Sequence, residues 1–482
     1  MSSTALSLLP AERRAVLALG TIYATRMLGL FGVLPVMVLY ASGLPGATPL
    51  GIGLALGAYG LTQALLQIPV GRWSDRIGRH PVIALGLGLF AIGSVVGAMA
   101  PHSRYPLWWV IAGRAIQGAG AISGPTTALL ADLTRTEVRT RAMAFIGISI
   151  GLCFIVSLLG APVLAAHVGV PGLFWGMALL AVIGLLVLHF FVPRPVQTPR
   201  QAGVAEETGE LLWPWHLSMF CLHAILTATF VGVPLALRDL LALPQASHWQ
   251  VYLPVFLASL LGTGGLVLWA ERARHPDGVM RYGIALLVFA QGGMALFHGT
   301  VWALGAGLSL FFVAFNFLEA RLPARLSQAA GPARRGQAMG VFATSQFLGA
   351  FAGGTLGGVL SGTRFGLPGL FAGVCLLALA WLLAFRPKKP ARAALRGGPG
   401  GGAAIIAANT AYMRRHGWPS HVYNAPYRLK EFFSWHLAAS TKSSSSATSA
   451  RTRKAGPCLA ARPLPICASP PAKPGATSRR AR

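Results

Sequence analysis

The chain has 482 residues, of which 54% are hydrophobic and only 11% charged, with a net charge of +28. Soluble domains carry roughly a quarter charged residues, so this composition excludes an ordinary soluble enzyme or binding module. The basic excess does not point to nucleic acid either. From Arg386 to the end there are 18 Lys and Arg against one acid, Glu431, and most of the remaining positive charge lies in short loops between apolar runs.

Taken in order, apolar runs fall near 15–40, 49–70, 81–100, 105–131, 142–166 and 171–193. After a polar stretch they resume near 215–237, 248–270, 280–297, 300–322, 337–362 and 366–385. Runs of about 20 apolar residues read as membrane-spanning helices, and the lack of two-residue alternation excludes a barrel. The fold expected is therefore an all-α polytopic membrane protein with 12 transmembrane helices in two pseudo-symmetric six-helix bundles. The first run is too long for the apolar core of a signal peptide and reads as a first span. The expected organisation is an N-terminal bundle over 1–194, a cytoplasmic linker over 195–212, a C-terminal bundle over 213–386 and a basic, disordered tail over 387–482. The five cysteines show no metal-type spacing and are expected to be inert.

Loop charges check the count of spans. Alternate loops carry Arg13 and Arg14; Arg72, Arg76 and Arg79; Arg135, Arg139 and Arg141; Arg194 and Arg200; Arg272, Arg274 and Arg281; and Arg325, Arg334 and Arg335. The intervening loops carry only Arg104, Arg238 and Arg364. By the positive-inside bias, both termini and the linker are expected to be cytoplasmic.

A repeat is also visible. Arg79-His80-Pro81 recurs as Arg274-His275-Pro276, Asp75-Arg76 as Glu271-Arg272, Ala142-Met143 as Ala338-Met339, and Pro171-Gly172-Leu173-Phe174 as Pro368-Gly369-Leu370-Phe371. The offset stays between 195 and 197, which indicates two homologous halves, an arrangement used by transporters that handle solute between them.

The stretch Gly71-Arg72-Trp73-Ser74-Asp75-Arg76-Ile77-Gly78-Arg79-His80 joins the second and third spans. Gly71 is expected to allow close helix approach, Gly78 to supply a positive φ, and Pro81 to open the next helix at its first position. The pattern G-x-x-x-D-R-x-G-R resembles motif A of the major facilitator superfamily. Arg26-Met27-Leu28-Gly29, Gln67-Ile68-Pro69, Phe312-Val313-Ala314-Phe315-Asn316 and Thr344-Ser345-Gln346-Phe347-Leu348-Gly349 are similar to YajR-type proton-driven efflux transporters within it. The resemblance covers about the first 385 residues and implies alternating access driven by the proton gradient. It also implies a conformational latch of Gly71, Asp75, Arg76, Gly78, Arg79 and His80. In it Asp75 faces the helix that starts near Gln337, and Arg76 and Arg79 pair with Asp132. The alternative is that these charges only anchor a tight loop.

Three departures stand out. His80 occupies a position where the family carries Arg or Lys, which makes a motif charge titratable. The fifth-span antiporter pattern is partial, keeping Gly151 and Gly160 but reading Ala161-Pro162. The tail does not resemble the small α/β domain that closes YajR-like proteins, and its Arg/Pro/Ala/Ser bias would also suit a shifted reading frame.

Charged residues inside spans need a partner or a purpose. Glu319, His223 and Arg26 are the candidates for proton coupling, with Glu319 as the proton-carrying acid and Arg26 as a competing fixed charge. Bland roles are open to each: Glu319 could pair with Arg321 or Arg325 at a gate, and His223 could be an ordinary interior histidine. Arg114, Gln117, Tyr59, Gln63, Gln67, Asn316 and Gln346 are candidate cavity-lining residues, with interhelical hydrogen bonding as the alternative. Glycines at 86, 93 and 97, and at 349, 353 and 357, read as close-packing faces.

The function expected is proton-coupled efflux of small amphipathic or drug-like solutes across a bacterial inner membrane. Uptake symport, or a non-transporting receptor or scaffold on the same fold, is the alternative. No catalytic or metal-binding set stands out, so no enzyme activity, cofactor or metal is expected. The expected partners are lipid and a small-molecule substrate, without nucleic acid, and the expected state is a monomer.

Overall fold

The computed structural model describes residues 8–193, 212–273 and 276–385. The linker, the tail and the Arg274-His275 part of the repeat lie outside the described residues. The helices are α1 (Pro10–Gly32), α2 (Met37–Ser42), α3 (Pro49–Ile77), α4 (Arg79–Ala98), α5 (Pro106–Ala119), α6 (Ser123–Asp132), α7 (Thr136–Phe191), α8 (Trp213–Leu235), α9 (Trp249–Arg272), α10 (Pro276–Phe297), α11 (Val301–Ala329), α12 (Gly331–Ser361) and α13 (Gly366–Ala384). The described residues contain no strand.

Local chemistry sets the helix starts. Pro10, Pro49 and Pro106 each stand at the first helical position, where a missing N–H costs nothing. Thr48 and Thr300 cap α3 and α11, accepting from Gly51 N at 3.1 Å and Ala303 N at 3.3 Å. Large apolar side chains such as Leu261, Phe289 and Trp302 stay exposed, as expected for surfaces that meet lipid. Nine helices among the described residues are long and apolar enough to cross a membrane.

Each expected span has a helical counterpart, but several expected boundaries are wrong. The first span is divided into α1 and α2. The fifth and sixth do part where expected, between 166 and 171: the stretch labelled α7 is two helices joined at Gly169, whose φ of 70° and ψ of 169° are not helical. Helices α11 and α12 run on through what was expected to be a loop, so Arg325, Arg334 and Arg335 sit on helix ends. The fourth span breaks between α5 and α6, because Pro125 has no N–H with which to continue the ladder.

The motif A turn is also tighter than expected. Gly78 alone separates α3 from α4, and its φ of 96° is open to glycine but strained for other residues. Pro81 is the third residue of α4, not the first. Gly71 meets no neighbour within 4 Å where a side chain would start, so it makes no close approach.

The two bundles, α1–α7 and α8–α13, meet along a seam between α3 and α12. A Cβ on Gly53 would lie 2.5 Å from the Gly354 carbonyl oxygen, and one on Gly57 would lie 2.9 Å from that of Phe351. Only glycine permits backbones to approach so closely. Arg238 donates across the same end to Ser42 at 2.9 Å. Deeper in, Phe154 meets Phe312 and Phe230 edge-on, with centroids 5.9 and 6.4 Å apart. At the opposite, motif A end, Gly336 and Gly340 of α12 face open space, as Gly71 does on α3. The close backbone approaches between the bundles thus lie toward the arginine-poor end, and these three glycines make none at the arginine-rich end.

Candidate functional site

The first group is built around Arg26, midway along α1 and 2% exposed. Its Nη1 donates to Ser123 Oγ at 2.8 Å, and its Nη2 to Tyr59 Oη at 2.9 Å and Gln63 Oε1 at 2.5 Å. Gln63 in turn donates to Gln67 at 3.1 Å, as their one-turn spacing on α3 allows. Every acceptor is neutral, so the hydrogen bonds orient the guanidinium without cancelling its charge. Its Nε has no partner.

Arg114 on α5 is 1% exposed and shares Tyr59 with Arg26. Its Cζ lies over the Tyr59 ring, 4.7 Å from the centroid, which is cation–π geometry. Rather than bonding backbone carbonyls, it donates to Gln117 at 2.8 Å, and Gln117 donates to Ser94 at 2.7 Å. Tyr59 therefore joins two buried cations, one through its hydroxyl and one through its face.

The second group lies in the other bundle. Glu319 Oε2 is 3.8 Å from His223 Nε2. That oxygen is buried and accepts no hydrogen bond, while the side chain as a whole is 35% exposed. The Glu319 carboxylate is thus dry on one side and open on the other. Neither Arg321 nor Arg325 is its ion-pair partner: Arg321 stacks over Phe317, and Arg325 lies over Trp215 and donates to Gln328. His223 also lies 2.8 Å from the Gln346 Nε2 atom of α12. Asn316, one turn before Glu319 on α11, is half-buried.

Helix α12 touches both groups. Gln346 reaches His223, and the adjacent Phe347 meets Tyr59 edge-on with centroids 6.3 Å apart. The histidine beside the acid in one bundle and the tyrosine shared by two cations in the other therefore meet a single helix that also forms the seam.

At the motif A end, Arg79 bonds Asp132 through Nε at 2.5 Å and Asp75 through Nη1 at 3.2 Å. The expected roles divide unequally. Arg79 holds both acids, Arg76 is exposed with no ion-pair partner among the described residues, and His80 is half-buried. Asp75 lies against Arg79 within its own bundle.

Several polar residues here escaped sequence reasoning. Ser94 and Ser123 carry no charge, so only the folded structure reveals them as acceptors. Glu12 takes hydrogen bonds from the backbone N and side chain of Arg135 at 2.8–3.0 Å and from Leu9 N at 2.9 Å. This pins the start of α1 to the loop before α7. The Glu12 carboxylate also raises the Arg135 guanidinium above its ordinary pKa.

Comparison with known proteins places this geometry in context. The family model described as Major Facilitator Superfamily matches residues 19–354. The chain is 41% identical over 381 residues to the inner membrane transport protein YajR of Escherichia coli (strain K12), covering 77% of this chain and 83% of that one. It is 26% identical over 386 residues to multidrug resistance protein 2 of Bacillus subtilis (strain 168), covering 76% and 94%. Among solved structures, a D-xylose-proton symporter shares the fold at a TM-score of 0.61 and 15% identity, over 78% of this chain and 98% of that one. An inward-facing, occupied bacterial homologue of the human lysosomal transporter Spinster does so at 0.60 and 15%, over 78% and 95%. The family match spans most of the chain, and with it the seam and both buried polar groups: the chain belongs to the major facilitator superfamily of membrane transporters.

Proposed function

We propose that the chain is a proton-coupled exporter of small amphipathic solutes in a bacterial inner membrane, working by alternating access. The observation that carries this reading is Glu319, a carboxylate inside a span with a dry, unbonded oxygen beside His223. An ionisable group kept within a membrane span is costly unless it serves transport, and acid–histidine pairs are suited to proton relay. The opposite face of the Glu319 side chain is open, which gives a proton somewhere to enter and leave.

The positive-inside bias makes the arginine-rich end cytoplasmic. On that assignment the close α3/α12 seam lies toward the outer side, which supports a cytoplasmic side free to admit solute. Solute would load from that side, and protonation of Glu319 from the outer side would reset the cycle. The inner-membrane location is supported by the name of the Escherichia coli relative, and the solute class by the name of the Bacillus subtilis one.

The test uses proteoliposomes holding the full chain and an internal pH dye, challenged with Hoechst dye, ethidium and fluorescein under an imposed pH gradient. Solute-dependent proton flux with at least one of these, lost in Glu319→Gln, is the expected result. Flux that persists unchanged in Glu319→Gln would remove the proposed role, and no flux with any of them would favour a non-transporting membrane protein.

A further inference from the structure

The break in the fourth span leaves a helix end in the middle of the membrane. Gly120, at φ −73° and ψ 49°, ends α5. Ala121 N bonds Ala119 O at 2.9 Å and Ile122 N bonds Gly120 O at 2.7 Å, so the chain turns tightly and then restarts. The first bond of the new ladder is Thr126 N to Ile122 O at 2.9 Å. The backbone N–H groups of Ser123 and Gly124 precede it, have no acceptor among the described residues, and belong to half-buried residues. Such a helix start carries partial positive charge directed at whatever lies before it.

Arg26 lies there. Its guanidinium bonds the Ser123 side chain, and its buried Nε has no partner. Arg114 adds a second buried cation behind Tyr59. The described acids of this bundle sit at its motif A end, where Glu12 bonds Arg135 and Asp75 and Asp132 bond Arg79. Arg26 thus meets a helix start, with Arg114 on the far side of Tyr59, and neither guanidinium bonds a carboxylate among the described residues. Arginine charge inside a membrane protein is stabilised by a counter-charge, and broken helices whose N-terminal ends face a substrate are a known way to hold anionic groups.

We infer that the gap between α5 and α6 binds the carboxylate of an organic-anion substrate, held by Arg26, the Ser123 hydroxyl and the free N–H groups of Ser123 and Gly124. Tyr59, which accepts from Arg26, and Phe347, edge-on to Tyr59, are the rings that a flat apolar body attached to the carboxylate would meet. The inference rests on the transporter reading only in calling the anion a substrate. It narrows that reading from amphipathic solutes in general to anionic ones.

Binding is measurable on the purified full-length chain, without any gradient, from tryptophan fluorescence and thermal unfolding. The probes are naphthoate, naphthamide and naphthylmethylammonium, which share one ring and differ in charge. Naphthoate binds and the other two bind at least about tenfold more weakly; Arg26→Gln weakens naphthoate about ten- to a hundredfold, the scale of a lost charged hydrogen bond. Ser123→Asp places a carboxylate in the gap itself, so it abolishes naphthoate binding and raises the Tm of the unliganded protein. Equal or tighter binding of the ammonium probe would overturn the inference. So would naphthoate affinity unchanged in Arg26→Gln, or a Ser123→Asp protein that unfolds at lower temperature. Because no gradient is used, a chain that binds naphthoate selectively yet moves no protons with solute would sink the transporter reading while leaving the anion site standing.

Discussion

His223 and Gln346 meet nitrogen to nitrogen, at 2.8 Å, across the α8/α12 contact. With the Gln346 amide nitrogen as donor, His223 Nε2 is the acceptor of this bond. A proton arriving at His223 Nε2 must displace the amide, and the nearest acceptor left is Glu319 Oε2 at 3.8 Å. Gln346 and a proton therefore compete for one atom. The variant Gln346→Leu removes the competitor and is expected to uncouple solute movement from the pH gradient while leaving the protein folded. Gradient-driven transport and Tm measured side by side check this; coupled transport at wild-type level would contradict it.

The seam between α3 and α12 gives a second expectation. Gly53→Leu forces a side chain into the Gly354 backbone, where no flexible neighbour can yield. The arginine-poor end should be propped apart, and transport should stop without loss of the fold. Spin labels at Ser42→Cys and Arg238→Cys, positions that hydrogen-bond across this end, report the separation. A longer distance in the Gly53→Leu background is the expected result, and an unchanged one would mean the seam is not held by these glycines.

At motif A the geometry ranks the residues. Arg79 bonds both Asp75 and Asp132, whereas Arg76 is exposed. Pairs this accessible contribute about 0.2–1 kcal/mol, enough to shift a two-state equilibrium roughly 1.4- to fivefold. Arg79→Ala and Asp132→Asn should each slow transport on that scale, and the double variant should be no worse than Arg79→Ala alone, which already removes the Asp132 pair. Arg76→Ala should fall within the error of wild type. Initial transport rates at matched membrane abundance test the ranking.

Glu12 bears on stability rather than transport. It accepts hydrogen bonds from both Arg135 and Leu9, and Glu12→Gln removes the charge that makes them strong. A lower Tm with transport per folded molecule retained is expected. A lower transport rate at unchanged Tm would instead give Glu12 a part in the cycle.

What the sequence disclosed follows physical lines. Long apolar runs and alternating loop charge depend on composition alone, so the helices and their pairing into halves were legible, and Gly78 announced its turn. The break before Ser123 was read through because Ala121 and Ile122 keep the run apolar, although Gly124-Pro125 is a breaker pair. The partners of Arg26 could not be read at all. Tyr59 and Ser123 lie 33 and 97 positions away, and no spacing rule links residues that only tertiary packing brings together. The same holds for Glu12 and Arg135, which are 123 positions apart.

The central claim is that Glu319 carries the proton that drives transport. It is tested most directly by comparing two assays of Glu319→Gln in proteoliposomes, using fluorescein as the solute: exchange across the membrane at equal pH, and accumulation under an imposed pH gradient. If Glu319 is the proton carrier, the neutral variant still exchanges solute, because the halves can still rock, but it no longer accumulates it. Accumulation at the wild-type level in Glu319→Gln would contradict the account.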